Sequence, residues 1–471
     1  MSTFPPPVVR DLPDPPANLW RIVGPGIVAA GVGLSSGEFI LWPYIASQVG
    51  LVFLWGALAG AGTQLFLNME IERYTLATGE TAITGFNRVW RHWGLILAVM
   101  VYFANLWPGW ALSSATLVTY LIGGGSAPAI AVISLVVIGA ALTLAPIVYV
   151  ALERLIFVKV AAVATLAALA VAFAITADTW SALPVSVAAG FGRFPDQLSF
   201  ALLFSAVAFA GAGGGQNLCQ SNWIRDKGFG MGRYLPKLVS PVTGAEEAAP
   251  VRVSYVFEPT AGNMARWRRW WRFANLEQTL TFFLVTVITI VLTSMLAHSV
   301  LFGQPGLPNG VGFLQIEGDR LKAVVGPWFG TLFWGIGAFS LFGSAMGIID
   351  YTSRLAADVI KSTYLPASRT SESQLYFGLV WGLVAIGCSI LLSGLTQPLL
   401  LLIISATVGG TMMCLYSVLL IAINRRHLPA PIRVRSYRLG ALIWASAVFG
   451  VLALLTFWQQ ISALLGPWAR S

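Results

Sequence analysis

Two glycine-rich segments, GVGLSSGE at residues 31–38 and GAGGGQN at residues 211–217, decide the fold of this 471-residue chain. They interrupt the first and the sixth of its long apolar stretches. Each glycine weakens a helix by roughly 1 kcal/mol relative to alanine. Irregular backbone at membrane depth is tolerated only where protein buries it or where it lines a watery cavity. The two segments therefore predict helices that are broken partway across a membrane.

The composition predicts an all-α polytopic membrane protein. The chain is 57% hydrophobic and 10% charged, with a mean hydropathy of +0.76, whereas a soluble domain carries about 25% charged residues. A membrane-spanning helix needs roughly 20 mainly apolar residues, and the chain contains about eleven such runs. They lie near residues 22–47, 51–71, 95–122, 127–148, 155–177, 197–223, 273–300, 327–351, 374–393, 398–423 and 439–464.

The remaining segments predict a tail, one integral domain and one long loop. Residues 1–19 are rich in proline and are expected to form an extended cytoplasmic tail, followed by a single transmembrane domain over residues 20–471. The longest loop covers about residues 225–272 and contains VRVSYVF at 251–257, whose alternation permits a small hairpin. It ends in MARWRRWWRF at 264–273, a composition that suits a headgroup-zone anchor.

Positive charge predicts the orientation rather than a nucleic-acid partner. The net charge is +9, and 24 of the 28 basic residues fall on cytoplasmic segments if the N-terminus is cytoplasmic. With an odd number of spans, the C-terminus is then expected outside. Acidic groups at the cytoplasmic helix ends, such as Asp226 and Asp350, are expected to pair with Arg225 and Arg354. Lys159, the one basic residue well inside a span, is expected to extend to the cytoplasmic edge.

The two interruptions also predict a binding site. If spans one to five and six to ten are inverted repeats, the breaks occupy corresponding positions, which points to a transporter site near the midplane. The alternative for a glycine-rich stretch is close helix packing. The expected substrate-binding residues are Ser35, Ser36, Gly37, Glu38, Gly211, Gly214, Gln216 and Asn217.

Glu38 is the residue most informative about the substrate. An ionised carboxylate at the bilayer centre costs at least about 2.5–3.5 kcal/mol, so it needs a partner such as a cation or a proton. A protonated Glu38 that caps the second half of the helix is the structural alternative. Oxygen donors around Glu38 predict a hard metal ion, with Glu38 as its ligand. They also suit an organic solute, for which Gly213, Gly214 and Gly215 are expected to leave room.

Two short motifs resemble the Nramp family of divalent-metal transporters. They are GPGIVAAG at residues 24–31, just before the first break, and ERYTLATGE at residues 72–80, after the second span. The resemblance implies a LeuT-type fold of about eleven helices with 5+5 inverted repeats and broken helices one and six. It also implies secondary transport by alternating access in a lipid bilayer, with the bacterial plasma (inner) membrane as the expected location.

The chain departs from the family at its metal site. The family's Asp-Pro-Gly-Asn motif aligns with residues 35–38, and its Met-Pro-His motif aligns with Gly214, Gly215 and Gln216. Gly214 stands where the family has methionine, so this chain lacks the thioether, which is the soft ligand suited to late transition metals. The expected substrate is therefore a hard, Mg²⁺-like divalent cation, with a small organic solute or a non-transporting membrane sensor as alternatives. Catalytic motifs and cofactor motifs are absent from the sequence, so we expect neither an enzyme nor a cofactor. The sequence leaves open the coupling ion and the oligomeric state.

Overall fold

The computed structural model describes residues 5–16, 25–144, 148–235, 254–395 and 397–465. These residues form a helical bundle with one small parallel strand pair, β1 and β2, at Val8–Val9 and Tyr255–Val256. The α-helices are α1 (Pro25–Gly33), α2 (Trp42–Val49), α3 (Trp55–Thr78), α4 (Ala82–Val89), α5 (Trp93–Asn105), α6 (Gly109–Ile122), α7 (Ala127–Leu144), α8 (Val148–Phe173), α9 (Ala177–Gly190), α10 (Phe200–Ala208), α11 (Gly215–Lys227), α12 (Ala261–Glu277), α13 (Val285–Leu301), α14 (Phe313–Val324), α15 (Pro327–Val359), α16 (Glu372–Leu392), α17 (Pro398–Arg426) and α18 (Ser436–Leu465). Turns of π-helix at Gly37–Leu41, Gln278–Leu284 and Ile360–Tyr364, and of 3₁₀-helix at Gly50–Phe53, Gly230–Tyr234 and Ala430–Ile432, join several of them.

The membrane-crossing elements match the predicted spans. In the part of the chain that the structure describes, nine helical stretches are long and apolar enough to cross a membrane. α3 has 24 residues, but polar groups such as Gln64, Asn68 and Glu70 lower its mean hydropathy. α10 and α11 have 9 and 13 residues, because the break divides what would otherwise be one span. Adding α3 and the α10–α11 pair to the nine gives the eleven predicted crossings.

Both predicted breaks are confirmed. α1 ends at Gly33, and the chain turns at Leu34 and Ser35 before it resumes helix through a π-helical turn that leads into α2. In the sixth span, residues 209–214 form consecutive turns between α10 and α11. Gly211, Gly213 and Gly214 there have φ values of +129°, +69° and +91°, which side chains with a Cβ rarely adopt. The glycines are therefore needed for the path of the backbone.

A third interruption was not predicted. The third span, expected near residues 95–122, is present as a candidate membrane crossing over Trp93–Ile122, but within it α5 ends at Asn105 and α6 begins at Gly109. Pro108 immediately precedes α6 and lacks the backbone N–H that would continue the helical ladder. The interruption was missed because hydropathy does not register a single proline inside an apolar run.

The N-terminal tail lies against the helical bundle. β1 in the tail pairs in parallel with β2, so the strand expected to form a local hairpin pairs with a distant segment instead. Residues 251–253 of that expected hairpin lie outside the described residues. Trp270 Nε1 donates to the Pro13 carbonyl at 2.8 Å, and both Trp267 and Trp270 are buried. These two indoles therefore pack against protein, not in the headgroup zone as predicted. We call this end of the bundle the tail end.

Helices from distant parts of the chain surround the first break. α1 packs against α8, α11 and α15, and α15 in turn packs against α5, α6 and α16. The break in α1 is therefore enclosed by helices from both halves of the chain. This packing brings the two glycine-rich segments into contact.

Candidate substrate site

The two broken helices touch each other at their breaks. A Cβ added at Gly33 would lie 2.2 Å from the carbonyl oxygen of Gly211, and one added at Gly37 would lie 2.4 Å from that of Phe209. Gln216 Nε2 also donates to the Ala29 carbonyl of α1. The structure therefore brings the predicted residues of the two segments to one place. The predicted polar side chains there, Ser35, Ser36, Glu38, Gln216 and Asn217, are all buried.

Serines of α15 satisfy the carbonyl groups freed by the first break. Ser340 Oγ donates to the Leu34 carbonyl at 2.6 Å, and Ser344 Oγ donates to the Val32 carbonyl at 2.6 Å. Sequence reasoning missed both residues. Their spacing of four places them on one face of a helix, and this polar stripe within an apolar span was the available signal.

Glu38 has one oxygen that the protein satisfies and one that it does not. Its Oε2 accepts a hydrogen bond from the Ser35 backbone N–H at 3.0 Å. Its Oε1 is buried and has no hydrogen-bond partner among the described residues. The hydroxyl oxygen of Ser36, two residues earlier in the chain, accepts a hydrogen bond from Trp110 Nε1 at 3.0 Å. Buried polar atoms are nearly always paired, so the unpaired Glu38 Oε1 is an exception to that rule at this break.

The second break is held by Gln64 of α3, which sequence reasoning also missed. Gln64 Nε2 donates to the Ala208 and Ala210 carbonyls at 3.0 Å each. Its Oε1 accepts from the backbone N–H groups of Ala212 and Gly213 at 2.8 and 3.2 Å. One side chain therefore satisfies four backbone groups that the break releases. A glutamine inside an apolar span was a visible signal, but its partner could not be read from the sequence.

Asn217 serves the same break from the other side. Its Oδ1 accepts from the Gly214 N–H at 2.8 Å, and its Nδ2 donates to Asn68 Oδ1 at 2.7 Å. Both ends of its amide are thus engaged within the protein. In this conformation Asn217 supports the start of α11.

The glycines of the second break leave no free space beside them, contrary to expectation. A Cβ at Gly213 would lie 2.6 Å from Phe209 Cε1, and one at Gly214 would lie 2.4 Å from the Gly409 carbonyl oxygen. At Gly215 it would lie 3.1 Å from the Val101 side chain. The room predicted for an organic solute is filled here, because the glycines allow α17 and its neighbours to approach closely.

Lys159 does not extend to the membrane edge as predicted. It lies on α8, is 0% exposed, and its Nζ donates to Ser344 Oγ. Ser344 Oγ in turn donates to the Val32 carbonyl, so the Lys159 amine lies at the end of α1, whereas charge counting had assigned it to the membrane surface.

Buried ion pairs close the tail end of the site. Arg354 contacts Asp226 Oδ2 at 2.5 Å and Asp350 Oδ1 at 2.8 Å. Arg225 lies 3.4 Å from Asp226 and 3.6 Å from Asp358. The predicted pairing of acids with arginines at these helix ends is confirmed. It joins α11 to α15 across the region where a path from the site to that end would run.

Another buried carboxyl lies at the end of the bundle opposite the tail end. Glu317 on α14 is buried, and its Oε2 has no hydrogen-bond partner among the residues described. Burial raises the pKa of the Glu317 carboxyl to about 8. Glu317 therefore resembles Glu38 in burial, but it lies far from both breaks in the chain.

Metal-ligating side chains do not form a cluster anywhere in the described ranges. Over residues 5–16, 25–144, 148–235, 254–395 and 397–465, no three or more His, Cys, Asp or Glu side chains are grouped around a common position. Cys219, Cys388 and Cys414 are all free thiols. A metal ion at the first break would thus bind to Glu38 and otherwise to neutral oxygens.

The chain has the overall structure of several known transporters. It aligns with a variant of the manganese transporter from Eremococcus coleocola over 98% of this chain and 91% of that chain, with a TM-score of 0.65 and 12% identity. It aligns with MhsT in complex with L-phenylalanine over 92% of this chain and 97% of that chain, with a TM-score of 0.54 and 12% identity. It aligns with Mhp1, a nucleobase-cation-symport-1 family transporter, over 92% of this chain and 90% of that chain, with a TM-score of 0.55 and 11% identity. No protein-family model and no curated relative matches the sequence.

The fold is of the LeuT type. In a LeuT-type fold the two repeats each begin with a discontinuous helix, and the breaks of the first and sixth spans face each other near the midplane. The α1–α2 and α10–α11 pairs are these two discontinuous helices. TM-scores of 0.54–0.65 over 92–98% of this chain, at identities of only 11–12%, establish this shared LeuT-type architecture.

Proposed function

We propose that this chain is a secondary transporter that works by alternating access and holds its cargo at the first break. The observation that carries the proposal is Glu38 Oε1, a buried carboxylate oxygen with no partner among the described residues, at the break of a LeuT-type fold. A carboxylate in this position is costly unless something binds to it. A transported cation would be that partner. The carboxylate would then be without a partner only between release of one cation and binding of the next.

The conformation corresponds to a closed state in the proposed cycle. The ion pairs of Arg354 close the tail end. Toward the opposite end, the Phe39 and Phe333 rings lie 6.3 Å apart, and those of Tyr44 and Phe313 lie 5.6 Å apart. Opening of the tail end would separate the ion pairs while the aromatic pairs stay in contact, and opening of the opposite end would do the reverse. Cargo would shift the balance between the states by its different affinity for each.

For the cargo, we propose a hard divalent cation of the Mg²⁺ type. Glu38 and the hydroxyl and carbonyl oxygens around it are the donors such ions prefer. Residues 35–38 and 214–216, which align with the Nramp metal-site motifs, contain neither methionine nor histidine. We therefore propose a divergent Nramp-related protein with an altered metal site. A small organic solute is the second candidate, and the closely packed glycines of the second break weigh against it.

We further propose a cytoplasmic tail end and a bacterial plasma (inner) membrane. The basic residues of the predicted cytoplasmic segments support this orientation. The C-terminus would then lie outside, and residues 20–471 would form a single transporter domain. A non-transporting sensor would have the same orientation, so only flux separates it from a transporter.

Mg²⁺ flux into proteoliposomes with a trapped Mg²⁺ indicator tests the proposal. Wild type is expected to give saturable uptake. Glu38→Gln keeps the shape but removes the charge, and loss of a charged contact worth about 1.5–3 kcal/mol predicts a roughly 10- to 100-fold reduction in uptake. Glu317→Gln is the matched control, since it makes the same substitution at another buried carboxyl, and its flux at neutral pH is expected to equal that of wild type.

The outcomes separate the alternatives. Equal flux in Glu38→Gln and wild type would remove Glu38 from the mechanism. Saturable Mg²⁺ binding without flux would identify a sensor. An absence of both binding and flux for Mg²⁺ would reject the divalent-cation cargo and leave the organic solute to be tested.

A further inference from the structure

Four arginines line a cavity between the last turns of α17 and the segment that joins α17 to α18. The cavity has a volume of about 640 Å³, and the arginines are Arg425, Arg426, Arg433 and Arg435. All four are exposed, and the described residues that line the cavity include no aspartate or glutamate. Arg354, by contrast, is bound to two carboxylates. The cavity therefore concentrates positive charge that its own walls do not neutralise.

The joining segment holds two of these arginines in place. Residues 428–435 read LPAPIRVR, and Arg433 and Arg435 alternate there with buried apolar residues. Arg433 Nε donates to the Leu428 carbonyl at 2.9 Å, and Arg435 donates to the Ala430 carbonyl. A guanidinium has five N–H donors, so one bond to the backbone fixes its direction and leaves other donors for an anion.

The same segment is attached to the bundle beside the N-terminal tail. Arg73 Nη1 donates to the Ile432 carbonyl at 2.9 Å, and the Arg73 guanidinium lies 4.1 Å from the centre of the Trp271 ring. Trp271 follows Trp270, whose indole bonds to the Pro13 carbonyl of the tail. The cavity is therefore held at the tail end of the bundle by contacts that do not involve its four arginines.

The other wall of the cavity belongs to a membrane-crossing helix. α17 has 29 residues and is therefore about 44 Å long, whereas the hydrocarbon core of a bilayer is about 30 Å thick, so the ends of α17 reach the headgroup zone. The apolar lining residues Val418, Ile421 and Ala422 lie on one face of α17, and Val418 is 54% exposed. Arg425 lies on the same face, about 10 Å nearer the tail end than Val418. This face therefore offers an apolar surface to acyl chains and a guanidinium to a headgroup.

We propose that this cavity binds an anionic phospholipid of the tail-end leaflet, with the lipid phosphate held by the arginines and an acyl chain lying along the apolar face of α17. Guanidinium groups bind phosphate through paired, charge-assisted hydrogen bonds. Basic pockets between membrane helices bind lipid headgroups in the same way. A free phosphate ion would contact the arginines alone, whereas a lipid also covers Val418 and its apolar neighbours. The site does not depend on what the chain transports.

Lipid binding to the purified full chain tests the proposal. Phosphatidylglycerol, which is anionic, and phosphatidylcholine, which is zwitterionic, are titrated with the same acyl chains, and binding is followed by native mass spectrometry and by the melting temperature in detergent. Wild type is expected to bind phosphatidylglycerol saturably and more tightly than phosphatidylcholine. Because a bound ligand stabilises the folded state, phosphatidylglycerol is also expected to raise the melting temperature more.

The double variant Arg425→Gln/Arg426→Gln removes two charges from the cavity and leaves the bonds of Arg433 and Arg435 to the joining segment intact. Each basic residue near an anionic membrane surface contributes a factor of about five in affinity, so the affinity for phosphatidylglycerol is expected to fall about 30-fold. Arg268→Gln/Arg369→Gln is the matched control, because it removes two exposed arginines near the tail end that do not line the cavity. It is expected to keep the wild-type affinity.

Several results would overturn the proposal. Equal affinity of wild type for the two lipids would do so without any variant, which keeps the test decisive even if a variant does not fold. An equal loss of affinity in the cavity variant and the control would show attraction to the general charge of this end. Displacement of phosphatidylglycerol by an equal concentration of inorganic phosphate or glycerol phosphate would identify an anion site that does not use the acyl chain. A chain without any Mg²⁺ flux would reject the transport function proposed above and leave these binding results unaffected.

Discussion

The two breaks look alike in sequence and differ in chemistry. At the first, the freed carbonyls of Val32 and Leu34 bond to side-chain hydroxyls, and Glu38 keeps an oxygen without a partner. At the second, Gln64 engages four backbone groups, and the glycines pack against neighbouring atoms. The first break keeps a buried carboxylate oxygen without a partner among the described residues, whereas the amides of Gln64 and Asn217 are engaged at both ends at the second.

This difference assigns different roles to the two glycine-rich segments. We propose the first as the place for binding, because Glu38 there has a buried oxygen without a partner among the described residues. The second is a rigid support that keeps the first half of the fold in register with the second. Substitutions at the second break should therefore damage stability first, and substitutions at the first break should damage binding or flux first.

The largest loss of stability is expected from Gln64→Leu. The substitution leaves four backbone groups at the second break without their partner, and each unsatisfied buried group costs about 1–3 kcal/mol. The melting temperature in detergent is expected to fall steeply, or the protein to fail to fold. Gln304→Leu, on an exposed loop, is the control and should be close to wild type. A Gln64→Leu protein as stable as wild type would contradict the role of Gln64 as the support of this break.

A smaller loss is expected from Gly409→Ala, which tests the close packing of α17 on the second break. The new Cβ would lie 2.2 Å from the Gly213 carbonyl oxygen, and backbone cannot move aside as a side chain can. Overpacking of this kind costs about 1–3 kcal/mol. Gly378→Ala on α16, where a Cβ meets nothing within 4 Å, is the matched control. It should leave the melting temperature equal or raise it, since alanine favours helix.

A loss of about 1 kcal/mol is expected from Ser340→Ala at the first break. The change removes one hydrogen bond to the Leu34 carbonyl, and a typical bond contributes about that much to stability. The melting temperature should fall less than for Gly409→Ala, while Mg²⁺ uptake should change more. If Ser340→Ala lowered stability and left uptake unchanged, the proposed division of roles between the breaks would fail.

The smallest effect in acid is expected from Glu317→Gln, because below about pH 4.5 the wild-type carboxyl is protonated in both the folded and the unfolded state. Burial raises the pKa of this carboxyl to about 8, above its ordinary value of 4.5. Between these two values the folded state holds more protons than the unfolded state, so wild-type stability decreases as pH rises across that interval. The melting temperature of Glu317→Gln should show a shallower decline, with the difference largest above pH 8. Parallel pH profiles for the two proteins would refute this account.

Local patterns predicted those features that depend on neighbours in sequence. Apolar run length predicted the spans, and glycine content predicted both breaks, because helix propensity and membrane insertion act on consecutive residues. The interruption at Pro108 was missed, since a single proline hardly changes the hydropathy of a run. The contents of the site were predicted in part: Glu38 and the serines beside it lie within the motif itself.

The sequence alone determined that the chain crosses a membrane many times, that two crossings are broken, and that one break carries a carboxylate. Only the tertiary structure decided which polar groups meet there. Gln64, Ser344 and Lys159 come from three other helices, and nothing in their local sequence specifies their partners. The physical reason is that a buried polar atom is satisfied by whatever helix packs against it, and that helix lies far away along the chain.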